Sequence, residues 1–201
     1  MYRLVTTFTL AFILLFSIVA EAKVTIEVLN PNEGKYQVTY ELKVTKAHST
    51  EYNFPRNGFL SRDRKIKVVS VKEKNTDQEL KYEVVPAKDK NGETVDGRYV
   101  VKTKFVNPIP EGGNYIIVYK VILYNKDDCY IDSDGRWLFQ YSTGHDAFFI
   151  LPEGHAVVYA NYPVLVYEKA SRTVLQQKPM TDDNDDYSYR KLIFKTREFK
   201  K

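Results

Sequence analysis

Apolar and polar residues alternate along most of this chain with a period of two. Val24, Ile26 and Val28 are separated by Thr25 and Glu27. Tyr36, Val38, Tyr40, Leu42 and Val44 are separated by Gln37, Thr39, Glu41 and Lys43. Successive side chains of a strand point to opposite faces, so this spacing makes one apolar and one polar face, which a helix cannot use. Asn30, Pro31, Asn32, Glu33 and Gly34 between the two runs are turn residues, and the runs are predicted to form a hairpin. Further strands are predicted over 65–72, 80–85, 98–106, 114–124, 136–141, 147–151, 156–160, 164–168, 172–177 and 188–199. The gaps carry turn chemistry, such as Asn91-Gly92, Asp96-Gly97, Asp134-Gly135 and Pro152-Glu153-Gly154. No segment longer than one turn keeps a helical period.

The run from 115 to 124 differs from the rest. Tyr115, Ile117, Tyr119, Val121 and Leu123 line one face, and Ile116, Val118, Ile122 and Tyr124 line the other, interrupted only by Lys120. Two apolar faces predict a central strand covered on both sides. The stretch 47–62, punctuated by Pro55 and Gly58, reads as a loop. The fold class expected is all-β: an antiparallel sandwich of immunoglobulin-like kind but larger, with eleven or twelve strands. The passage 148–163, with its Leu151-Pro152-Glu153-Gly154 turn, resembles strand-turn-strand passages of extracytoplasmic immunoglobulin-like domains. No functional residue carries over from that likeness.

Residues 1–22 are expected to lie outside this fold. Arg3 precedes an apolar run, Leu10 to Ala20, and Ala20-Glu21-Ala22 is a small-x-small cleavage site, which together predict a secretory signal peptide. One domain over 23–201 is expected, exported from the cytoplasm into a periplasm or the medium, with no membrane span after cleavage. The single cysteine, Cys129, cannot form an internal disulfide, so stability must come from the apolar core. The formal charge of +4 is spread over interspersed residues of both signs. No basic arm or stripe of the kind that follows a nucleic acid is present, so no nucleic-acid partner is expected.

Candidate chemistry gathers in 125–146, which holds Asp127, Asp128, Cys129, Asp132, Asp134, the sole Trp137, His145 and Asp146. Asp132-Ser133-Asp134-Gly135 matches the middle of an EF-hand loop, but the first and twelfth ligand positions fall on Tyr130 and Tyr141, which rules that motif out. A looser calcium cage of Asp127, Asp128, Asp132 and Asp134 stands against a solvated acidic turn. Cys129, His145 and an aspartate offer a nucleophile, a base and an orienting group, but no nucleophile motif surrounds the cysteine. No two histidines are spaced for zinc. Aromatic residues out of phase with the core pattern, namely Tyr52, Phe54, Phe59, Tyr130, Trp137 and Tyr162, are candidates for contact with a protein or a glycan. The function expected is a non-enzymatic binding or structural module of the cell envelope without a cofactor. The alternative is a small secreted hydrolase, or a carbohydrate-binding accessory domain, using 125–146.

Overall fold

A computed structural model describes residues 22–60, 65–142, 145–178 and 191–199, so the export signal expected over 1–22 lies outside the described residues except for Ala22, the first residue of the first strand. The chain is all-β, with fourteen strands among the described residues. In order they are β1 (Ala22–Asn30), β2 (Lys35–Val44), β3 (Glu51–Leu60), β4 (Lys65–Glu73), β5 (Lys81–Lys88), β6 (Thr94–Lys104) and β7 (Tyr115–Tyr124). They continue as β8 (Cys129–Ile131), β9 (Trp137–Ser142), β10 (Asp146–Ile150), β11 (His155–Ala160), β12 (Leu165–Lys169), β13 (Arg172–Gln177) and β14 (Lys191–Glu198).

Seven strands form one large sheet in the order β12-β13-β10-β1-β2-β7-β4. Two smaller sheets accompany it, β11-β14-β9-β8 and β3-β6-β5. Pairing is antiparallel throughout, except that β1 runs parallel to β10, with Val24 opposite Ala147 and Ile26 opposite Phe149.

Period-two alternation gives the large sheet one buried face, and the two small sheets share that face between them. Val24, Ile26, Val28, Tyr36, Val38, Val121 and Leu123 pack with Phe139 and Phe194 of the four-stranded sheet in a first core. Further along the same strands, Leu42, Val44, Ile117 and Tyr119 pack with Phe54 and Val101 of the three-stranded sheet in a second. Tyr40 touches both cores. The architecture is a sandwich in which one layer is a single sheet and the other is split in two.

The opposite face of the large sheet is mostly polar and half exposed. Arg172 donates to Glu27 at 2.6 Å, Lys74 pairs with Glu41, and the Lys23 ammonium lies 4.7 Å from the Phe148 ring centre. β7 is central in the sheet, paired with β2 on one side and β4 on the other. Its odd positions 117–123 are buried, whereas Ile116, Val118, Lys120, Ile122 and Tyr124 are only half covered. The expectation of two covered faces is corrected accordingly: no third layer lies over this side among the described residues.

The turn between β1 and β2 is a short 3-10 segment, Pro31–Glu33, capped by the Asn30 side chain. Gly34 ends it at φ +64°, and a Cβ there would stand 2.5 Å from the Asn125 carbonyl carbon. Only glycine meets both demands. Two strands were not anticipated by the alternation. The stretch read as a loop over 47–62 contains β3, whose pairing with β6 breaks between Phe54 and Phe59 around a cis Phe54–Pro55 bond, and this break hides the period. β8 has only three residues, too few to show a period.

Candidate functional site

The segment 125–146 is part of the scaffold. Asn125 anchors it, accepting from the Asp128 and Cys129 backbone N–H groups and donating its own N–H to the Gly34 carbonyl. Asp128 accepts from the Tyr36 hydroxyl at 2.8 Å. Asp127 is exposed, and its carbonyl accepts from the Gln140 amide. The Asp132 carboxylate closes the turn into β9: it accepts from the Asp134 and Arg136 backbone N–H groups at 2.9 Å each, and from Lys195 Nζ at 2.7 Å. The Lys195 bond, then the backbone bonds, lowers the Asp132 pKa below the ordinary carboxylate value. Asp134 lies 3.5 Å from Arg136. The carboxylates of Asp128, Asp132 and Asp134 are thus engaged by Tyr36, Lys195 and Arg136 respectively, while the bond at Asp127 is to its main-chain carbonyl. Among the described residues no group of three or more His, Cys, Asp or Glu is gathered so as to hold a metal ion.

Cys129 is fully buried in the first core. Burial, with the Asp128 charge second, pushes its thiol up to about 12. That holds it in the protonated form, the opposite of what a nucleophilic cysteine needs. Burial lowers the pKa of His145.

The aromatic candidates separate into different environments. Phe54 is a core residue, its ring 4.6 Å from Tyr119 and 4.7 Å from Tyr40, and Tyr52 packs on the same cluster. Trp137 and Tyr162 pack against the first core, with the Trp137 ring 4.3 Å from that of His155. The expected contact surface is therefore corrected at Phe54, which the second core consumes. Phe59 lies in β3 opposite Tyr99, and its side chain falls outside the description. Among the candidates whose side chains are described, only Tyr130 is exposed, next to exposed Ile131 on β8.

A more extended apolar surface lies on the three-stranded sheet, at positions the sequence did not single out. Tyr82 is opposite Thr103, Val84 opposite Val101, and Pro86 opposite Tyr99, so all six share one face. Thr103 and Val101 are buried beneath the large sheet, yet Tyr82 is 40 % exposed, Val84 53 % and Tyr99 40 %. The large sheet therefore stops short of β5, and the inward face of β5 projects past its cover. Tyr82, Val84 and Pro86 stand two residues apart along an edge strand, a stripe roughly 13 Å long. Alternation shows which residues share a face; it carries no signal for where the covering layer ends.

No protein-family model matches this sequence, and no curated protein matches it. Solved structures do. An M1 zinc metallopeptidase from Deinococcus radiodurans superposes with a TM-score of 0.52 at 9 % identity, over 88 % of this chain and 41 % of the peptidase chain. Its E323A mutant gives the same TM-score, and the mutant bound to a Tyr-Ser-Ala substrate gives 0.51. This chain spans less than half the length of those peptidases. At 9 % identity the likeness is one of fold.

Proposed function

We propose that this protein is an extracytoplasmic, non-enzymatic module that binds a protein partner of the cell envelope through the open face of β5 and β6. The observation that carries the reading is the uncovered Tyr82, Val84 and Tyr99, in register with buried Val101 and Thr103. A rigid sheet that leaves tyrosine and aliphatic side chains exposed side by side has the composition of a docking surface. The Arg3, apolar-run and Ala20-Glu21-Ala22 pattern of an export signal expected over 1–22 supports an envelope location.

The experiment is capture from an envelope extract on the immobilised protein. Wild type is expected to retain a protein, and Val84→Glu, with an unchanged melting temperature, is expected to lose at least about tenfold of it. Equal retention by both would place the contact elsewhere. Binding to an arrayed glycan that Val84→Glu abolishes would replace the protein partner with a sugar.

The fold likeness favours a second reading, that of an accessory β unit in a larger peptidase-like assembly. His48, His145 and His155 include no pair four residues apart, the spacing of a helical zinc-binding pair. In that reading the zinc and the catalysis would lie outside this sequence, and a peptidase-like partner is what the same capture experiment would retain.

A further inference from the structure

We infer that β12 pairs edge to edge, antiparallel, with β12 of a second copy, about a twofold axis centred on Val166. Three sheets present six outer edges among the described residues, and five of them carry a bulge, a pairing break, a proline or only three residues, each of which discourages strand addition. β4 bulges at Val69, between Val68 and Ser70, and bears Lys67 and Lys72. β11 bulges at Val158. β3 breaks its pairing around Pro55. β5 contains Pro86 and alternates Lys81 and Glu83 with its apolar positions, and β8 has three residues. β12 pairs with β13 at five consecutive positions without a bulge. It is exposed throughout, with Leu165 at 57 %, Val166 at 52 % and Tyr167 at 40 %.

Self-complementarity identifies the occupant. Paired residues must share a face, so a twofold pairing has to be centred on a residue rather than between two. Centred on Val166, Leu165 meets Tyr167 of the other copy twice on one face, and Val166 meets itself on the other. Glu168 and Lys169 then fall opposite Val164 and Pro163 of the other copy, beyond the three apolar pairs, and because their charges cancel, two β12 strands approach without net repulsion. Centring on Tyr167 instead sets Lys169 against Leu165 and Glu168 against Val166. Centring on Leu165 sets Tyr167 against Pro163, which lies outside the strand, and so forfeits both Leu165–Tyr167 pairs. The Val166 register joins the two large sheets into one.

The test is sedimentation of the purified protein from about 100 μM down to about 1 μM, together with cysteine cross-linking. A dissociation constant on the order of 10 μM is expected, as for an association at the small end of interface sizes. Val166→Lys, at an exposed position, is expected to keep its melting temperature and sediment as a monomer throughout. Residues opposite each other across such a pair have Cα atoms about 4.5–5.5 Å apart, within disulfide reach. Val166→Cys should therefore cross-link on oxidation, while Glu168→Cys, roughly 13 Å from its counterpart, should not. The buried native Cys129 does not interfere. A wild type monomeric at every concentration would overturn the inference, as would cross-linking of Val166→Cys no greater than that of Glu168→Cys. Capture of an extended peptide on a monomeric protein would assign the edge to a different partner.

Discussion

Single side chains show where a sequence pattern is silent about its own use. Phe54 sits beside Pro55 in a stretch without alternation and so reads as an exposed aromatic, but its ring lies between Tyr40 and Tyr119 in the second core. Phe54→Ala should therefore cost about 3–5 kcal/mol, as buried aromatic truncations do, measurable by urea unfolding; a loss below about 1 kcal/mol would return Phe54 to the surface. Asp132 was legible as a turn aspartate, but its partner Lys195 lies 63 residues away and could not be read from spacing. Because its folded pKa is lowered, Asp132 contributes stability that is complete above the ordinary carboxylate range and is lost as pH falls through it. Asp132→Asn should consequently melt below wild type at neutral pH, and the gap should narrow as pH falls to the ordinary carboxylate range and close below it. A gap independent of pH would mean that the carboxylate charge plays no part.

At the scale of the strand, alternation located most of the elements, because a half-buried strand must alternate. It did not locate β8, which is too short, nor β3, whose period is broken at Pro55. Nor could it reveal that β1 runs parallel to β10, since alternation is the same in either direction. β7 shows both the reach and the limit of such reading. Its two apolar faces marked it as central, and it is paired on both sides, yet only the face of Ile117, Tyr119, Val121 and Leu123 is fully covered. Val121→Asp should cost on the order of 4 kcal/mol or more, because the charge is buried without a partner. Val118→Asp lies on the half-exposed face between Glu41 and Lys72 and should cost only about 1 kcal/mol. Thermal melts of the two variants decide it: equal, severe losses would mean that the second face is covered as well.

For the whole molecule, the split covering layer determines what is left open. One large sheet offers a continuous apolar face, and two smaller sheets divide it, so the margins of the cover fall where the small sheets are narrow or extend too far. β5 is such a margin. Its alternation of Tyr82, Val84 and Pro86 with Lys81 and Glu83 looks the same in sequence as that of a covered strand, which is why the surface could not be found before the layers were known. Hydrogen–deuterium exchange of the protein, alone and with the partner it captures, tests the binding role most directly. The expected result is slower exchange in β5 and in β6 near Tyr99, with the first-core strands β1 and β10 unchanged. Unchanged exchange across β5 and β6, with protection gained instead at β8 around Tyr130, would contradict it.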